Sequence, residues 1–251
     1  MTILYAHRGA SVEEPENTLE AFARAVELGV DAIETDVRLT ADERVVVHHD
    51  ATGRRMARDP RAIRTLTFNQ VRELDVGAAF DPEPPMKNSG VRRAPLLAEA
   101  LSTFPHMRFN VDIKDSAGAV PHVLRVVDDH AASDRVLLTS FHDRVLEEVR
   151  SRGYRGETGL ARNGALRALA LASLPIASRA LRPAGDRIQI PASQGPLVLS
   201  RPGLVANLQR LGYAVDFWVI NDPVEALRLL AVGADGIMTD DPRTILTALG
   251  R

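Results

Sequence analysis

The chain has no cysteine, which excludes disulfides and thiolate chemistry and leaves histidine and carboxylate side chains as its metal ligands. That donor set points to hard cations held through oxygen. It also lacks an excess of either charge: 31 Lys+Arg stand against 33 Asp+Glu, a formal net charge of −2. No global field therefore draws it to nucleic acid or to anionic membranes, and a small ligand is the better-matched partner. A long uninterrupted apolar run is missing as well. The nearest approach, Ala165 to Leu181, is broken by Arg167, Pro175 and Arg179, so it reads as an ordinary helix and no stable membrane anchor is expected. Met1 to Ala6 lead straight into the first polar motif, with no basic stretch and apolar h-region before it, and the expectation is a cytoplasmic protein.

What the chain has instead is a dense series of polar motifs near its start. His7-Arg8-Gly9, Pro15-Glu16-Asn17-Thr18, Glu34-Thr35-Asp36 and His48-His49-Asp50 follow one another between His7 and Asp50. Imidazoles and paired carboxylates are the raw material of metal-assisted acid/base chemistry. The remainder reads as a scaffold for them.

Ile3 to Ala6 is a short apolar strand ending at His7, with Gly9 at the turn that follows. Leu19, Phe22, Ala23, Val26 and Leu28 recur at helical spacing before Gly29 stops the run, which predicts the first crossover helix. Val30 to Val37 is the second strand, and alternation puts Glu34 and Asp36 on the same side. A hairpin turning near Asp42 would then set position 34 beside about 50 and position 36 beside about 48, returning the second histidine pair to the carboxylates. From about 51 to 95 the periodicity fades to one short helix near Leu66 to Leu74 and a stretch rich in Pro, Gly and Asn. This segment reads as an insertion placed to cover the mouth of the site.

Beyond it, strand and helix patterns alternate. With 45–48 set aside as the hairpin strand, parallel candidates remain at 3–6, 30–37, 109–114, 136–140, 157–161, 187–190, 214–220 and 236–239. Eight βα units in an α/β chain of 251 residues predict a (β/α)8 TIM barrel spanning 1–251 as a single domain. In that fold the C-terminal ends of the strands carry the chemistry, and His7, Glu34, Asp36, Asp112 and Lys114 all fall there. Three carboxylates from two strands match one divalent cation, Mg²⁺ or Ca²⁺.

The combined motifs His7-Arg8-Gly9, Pro15-Glu16-Asn17-Thr18, Glu34-x-Asp36 and His49-Asp50 resemble the glycerophosphodiester phosphodiesterase family. Leu66-Thr67 to Leu74-Asp75, Pro95 to Glu99, Trp218 to Asn221 and Asp235 to Asp240 extend the likeness over nearly the whole chain. The resemblance implies metal-dependent hydrolysis of glycerophosphodiesters to glycerol 3-phosphate and an alcohol. It casts Glu34, Asp36 and Asp112 as metal ligands and His7 and His49 as the acid/base pair. Arg8 and Lys114 would hold phosphate oxygens, Glu16 would support the network, and Trp218 would wall the glycerol part. The family usually has Glu where this chain has Asp112, one methylene shorter, and His48 is read as structural. The alternatives are a phosphodiesterase of the same fold acting on lysophospholipids or other phosphodiesters, and a non-catalytic barrel that binds phosphate ligands. An acid/base pair argues against the last.

Overall fold

The computed structural model describes residues 2–80, 90–174 and 179–251. The Pro- and Asn-containing stretch 81–89, the least periodic part of the expected insertion, lies outside the described residues, as does 175–178.

Seven strands run parallel in one curled sheet. In chain order they are β1 (Ile3–His7), β2 (Ala32–Leu39), β4 (Arg108–Ile113), β5 (Val136–Thr139), β6 (Arg187–Ile190), β9 (Ala214–Phe217) and β10 (Gly236–Thr239). Their spatial order is β5-β4-β2-β1-β10-β9-β6, and β3 (Val45–Val47) pairs antiparallel with β2. The strand expected at 157–161 is reduced to two parallel bridges, Leu138↔Thr158 and Gly159↔Arg187. These bridges close the gap between β5 and β6. Backbone hydrogen bonds join the segment on both sides: Leu138 N donates to Glu157 O (3.0 Å) and Gly159 N to Leu138 O (2.9 Å), while Leu160 N donates to Arg187 O (2.9 Å) and Asp186 N to Thr158 O (2.7 Å). A Cβ on Gly159 would stand 2.7 Å from Thr139 Cγ2, so only glycine permits the chain to approach β5 this closely.

The helices follow from capping and apolar spacing. In α1 (Leu19–Leu28) the Thr18 hydroxyl accepts from Ala21 N at 3.1 Å and Gly29 ends the helix in the left-handed region (φ 86°). Its buried face carries Ala21, Phe22 and Ala25. Phe22 meets Phe104 and Phe109 edge-on at 6.3 and 6.0 Å, and its burial contributes about 1.5–3 kcal/mol. α5 (Val120–Asp129) stands where the sequence reading placed no helix. It buries Val120, Val123, Leu124 and Val127, the i, i+3, i+4, i+7 pattern of an amphipathic helix.

The hairpin has the expected register. Val37 faces Val47 and Leu39 faces Val45, which extrapolates to 36 beside 48, and His48 N donates to Asp36 O at 2.9 Å. The reversal is closed by Thr40 N to Arg44 O at 3.0 Å. Asp42 accepts from Thr40 Oγ1 (2.6 Å) and Phe68 N (2.9 Å), tying the turn to the segment beyond. That segment contains α2 (Arg54–Ala57) and α3 (Phe68–Val71), the latter a single turn where a longer helix was expected. It packs a small separate core of Val46, Ile63, Leu66, Phe68, Val71 and Leu74, among others, over the outer side of β3.

The remaining elements are α4 (Leu97–Thr103), α6 (Asp143–Ser151), α7 (Arg162–Ala172), a short hairpin of β7 (Ser193–Gln194) and β8 (Leu197–Val198), α8 (Pro202–Arg210), α9 (Pro223–Val232) and α10 (Pro242–Ala248). Among the described residues, no helix is long and apolar enough to cross a membrane.

Candidate active site

Register brings the polar motifs together. His7 lies beside Glu34 across β1 and β2, and Asp36 lies beside Asp112 across β2 and β4. Each of these strands ends at the same rim of the barrel.

The turn after β1 is built for close approach. Gly9 has φ 86°, and a Cβ there would stand 2.7 Å from the Ala21 backbone, so α1 presses directly on the turn. Arg8, at φ 59°, donates its backbone N–H to a Glu34 carboxylate oxygen at 3.1 Å. Its guanidinium donates to Glu16 at 2.9 Å and lies 3.2 Å from Asp36. Asn17, buried and also at φ 59°, gives its amide N–H to Asp36 at 2.9 Å and accepts from Thr35 Oγ1 at 2.7 Å. One short loop therefore orients both an arginine and a carboxylate.

The carboxylates are almost sealed from solvent: Glu34 is 5% exposed, Asp36 1% and Asp112 7%. Lys114 Nζ stands 2.8 Å from Asp36 Oδ1 and 2.6 Å from Asp112 Oδ2. Burial opposes ionisation of Asp36, but Lys114 and then Arg8 outweigh it and hold its carboxyl below the usual range. Burial and then the Asp36 charge push Glu34 well above that range. Asp112 is raised too, chiefly by burial. Two of the three carboxyls thus resist ionisation, chiefly because they are buried. Among the described residues, Asp112 Oδ1 is buried without a hydrogen bond, and Asp36 Oδ1 meets Lys114 only as an ion pair.

Each histidine is aimed by an aspartate. His7 Nδ1 lies 2.6 Å from Asp240 Oδ1, and its Nε2 is 3.8 Å from Glu34. Asp240 is in turn held by Asn221 Nδ2 (2.9 Å) and Ser11 Oγ (3.3 Å). Burial works against the His7 imidazolium, yet Glu34 and Asp240 lift its pKa above the ordinary value. His49 Nδ1 lies 2.8 Å from Asp50 Oδ1, whose other oxygen accepts from Arg55 Nε at 2.6 Å. The same Arg55 donates to both Glu16 oxygens, at 2.7 and 2.6 Å. Both rings are bonded at Nδ1, and Nε2 of each makes no hydrogen bond among the described residues.

His48 points elsewhere. It is 4% exposed with Nδ1 3.0 Å from Asp50 O, and burial lowers its pKa. Trp218 stands across the mouth, edge-on to Phe141 at 6.3 Å. The two rings share the wall of a cavity of about 440 Å³ that also includes Asp112. The sequence reading placed Asn17, Asn221 and Asp240 within its motifs without giving them a role, and did not single out Arg55. Asp240 carried a signal, since it closes a strand end as His7 does. Its pairing with a residue 233 positions away is visible only in the folded barrel.

A barrel whose rim joins two oriented imidazoles, three buried carboxylates, an arginine and a lysine has the equipment of an enzyme acting on an anionic ester. The chain belongs to the glycerophosphoryl diester phosphodiesterase family, whose model matches residues 7–244, and is a phosphoric diester hydrolase. A glycerophosphodiester phosphodiesterase of Caldanaerobacter subterraneus subsp. tengcongensis is 30% identical over 98% of this chain and 96% of its own length. The probable glycerophosphodiester phosphodiesterase 2 of Mycobacterium tuberculosis is 32% identical over 99% and 92%. Among solved structures, an Oleispira antarctica phosphodiesterase in complex with the product sn-glycerol-3-phosphate shares the fold, with a TM-score of 0.81 at 23% identity over 100% and 98% of the two chains.

Proposed function

We propose that this enzyme hydrolyses glycerophosphodiesters to glycerol 3-phosphate and an alcohol, using one divalent cation, Mg²⁺ or Ca²⁺, and His7 and His49 as acid and base. The observation that carries the reading is the pair of imidazoles, each fixed through Nδ1 by its own aspartate at the rim where the carboxylates converge.

The donor set fits a hard cation. Glu34, Asp36 and Asp112 offer oxygen only, two of the three resist ionisation as they stand, and one Asp112 oxygen is buried without a partner among the described residues. These three would hold the ion, which would supply positive charge against the phosphoryl oxygens and favour the ionised form of its ligands. Among the described residues, no group of three or more His, Asp or Glu side chains is arranged to hold a metal ion as it stands. Lys114 supplies the charge between Asp36 and Asp112, and its long side chain is the one that must give way.

The chain's own residues then divide the work. Arg8 and Lys114 meet the phosphodiester anion and offset charge that grows on its oxygens. One imidazole Nε2 takes the proton of the attacking hydroxyl, either water or the glycerol 2-hydroxyl. The other gives its proton to the departing alkoxide oxygen as the P–O bond breaks. Attack by water gives glycerol 3-phosphate directly; attack by the glycerol 2-hydroxyl expels the alcohol and leaves a cyclic phosphate, which a water must then open with a second pair of proton transfers. The test is to incubate the purified chain with Mg²⁺ or Ca²⁺ and glycerophosphocholine, then assay glycerol 3-phosphate. Product should appear and should cease when a chelator is added; its absence with either metal contradicts the reading.

A further inference from the structure

The even charge of the whole chain conceals an uneven distribution. Between Thr158 and Val215 seven arginines stand against a single acid, Asp186. At the β5–β6 side of the barrel mouth, Arg162 opens α7 and Arg201 stands at the N-cap of α8, with Arg144 in the first turn of α6. All three are exposed, and none forms an ion pair among the described residues. Cations are unfavourable at helix N-termini, yet α7 and α8 have no acid in their first turns. The acids nearby are already engaged: Asp143 accepts from Asn163 N and Gly164 N (3.4 and 3.1 Å), Asp222 from Val224 N (3.0 Å), and Glu225 pairs with Arg228 at 2.6 Å. This side of the mouth carries positive charge that the fold itself does not use.

Large apolar side chains stand beside these arginines. Phe141 and Leu166 are each 57% exposed, Leu197 64% and Val198 50%. They belong to one rim: Arg162 N donates to Phe141 O at 3.3 Å, and Phe141, Arg162, Leu166 and Gln194 line the same cavity of about 440 Å³. Leu197 and Val198 face Gln194 and Ser193 across the β7–β8 hairpin, just before Arg201. Exposed apolar tips interleaved with unpaired arginines are the make-up of a surface that lies in a lipid interface. We propose that this rim seats the barrel mouth reversibly on an anionic bilayer, the apolar tips entering between the head groups and the arginines meeting lipid phosphates. No spanning segment is needed. A second copy of the chain is the poorer occupant, because a two-fold contact through this rim would set arginines against arginines.

The test is flotation of the full chain with vesicles of phosphatidylcholine alone and of a two-to-one mixture with phosphatidylglycerol. Binding is expected to the mixed vesicles and should weaken as added salt screens the arginines. Arg162→Gln and Arg201→Gln should each lower the vesicle affinity about five-fold, the equivalent of about 1 kcal/mol. The double variant Leu197→Asp/Val198→Asp should lower it by at least about ten-fold, with thermal melts showing that each variant is folded. Trp218, the chain's one tryptophan, lies edge-on to Phe141 at 6.3 Å and reports the seating directly. Its emission should move to shorter wavelength with mixed vesicles and stay in place in the Leu197→Asp/Val198→Asp variant.

No affinity for mixed vesicles above that for phosphatidylcholine alone overturns the proposal. Binding that the arginine substitutions weaken but Leu197→Asp/Val198→Asp leaves intact, with no shift at Trp218, is adsorption by charge alone and overturns it too. Binding that survives both sets of substitutions overturns it because another face would then be the one that docks. A dimer in gel filtration that these substitutions break, in place of vesicle binding, assigns the rim to a second copy and overturns it as well. The vesicle readout needs no turnover, so its failure leaves the phosphodiesterase reading standing, and failure of the product assay leaves the vesicle result standing.

Discussion

At the scale of the residue, the site is a set of charges that depend on one another. Arg55 shows this most clearly: a half-exposed guanidinium on α2 bonds the carboxylate that orients His49 and the one that holds Arg8. Arg55→Gln is expected to lower kcat/KM by about 10–100-fold, the usual cost of removing a group that orients another. Its melting temperature should change little, because exposed ion pairs contribute little to stability. Steady-state kinetics beside a thermal melt would separate the two effects. The pH behaviour follows from the directions of the shifts. Glu34 and Asp112 are raised in the folded protein, so each favours folding at acid pH and opposes it as pH rises and ionisation is forced. Added Mg²⁺ or Ca²⁺ should therefore raise the melting temperature more at pH 8 than at pH 5, read by parallel melts with and without chelator. The His7–Asp240 pair behaves differently. His7 is raised and Asp240 lowered, so the pair's contribution is greatest between their two folded values. It fades as pH rises through that of His7 or falls through that of Asp240.

At the scale of the element, the turn after β1 and the β2–β3 hairpin place these residues. Gly9→Ala puts a Cβ 2.7 Å from Ala21 at φ 86°. It is expected to destabilise by about 1–3 kcal/mol and to displace Arg8, reducing turnover as well; denaturant melts and kinetics on one preparation would show both losses together. The hairpin was legible before the structure because alternation and a short loop leave few registers, and 36 beside 48 emerged as read. The eighth strand was less legible. The strand expected at 157–161 is reduced to two bridges, although its backbone bonds to both β5 and β6. α5 was legible in principle, and its Val120, Val123, Leu124 and Val127 repeat was passed over. Local pattern reveals an element; it does not reveal which distant carboxylate will meet a histidine, and the roles of Asp240, Asn221 and Arg55 were missed for that reason.

At the scale of the whole molecule, a polar layer inside the barrel supports the rim. Arg187 and Asp216 form a buried pair, Arg187 Nε donating to Asp216 Oδ2 at 2.8 Å. Gln189 links Asp216 (3.3 Å) to Asn110 (3.1 Å), and Asn110 accepts from Thr139 at 3.0 Å, two positions below Asp112 on the same strand. Asp216→Ala strands a buried guanidinium and should cost about 3–5 kcal/mol, seen as a lower denaturant midpoint. Fold class and most of the proposed site could be read from the chain because the motifs fall at strand ends of a repeating βα pattern. Of the apolar half of the mouth only Trp218 was anticipated as a wall, since the rest is assembled from β5, the 158–161 crossing, α7 and β6 only when the barrel closes.

The central claim is that His7 and His49 move protons at a phosphodiester bond. Its most direct test is kcat for glycerophosphocholine in His7→Ala, His49→Ala and the double variant, each loaded with metal and shown by melting to be folded. Each single variant is expected to lose about 10²–10⁴-fold, with the double variant little worse than the poorer single one, as for groups that act as a unit. Turnover left unchanged by either single substitution would contradict the claim.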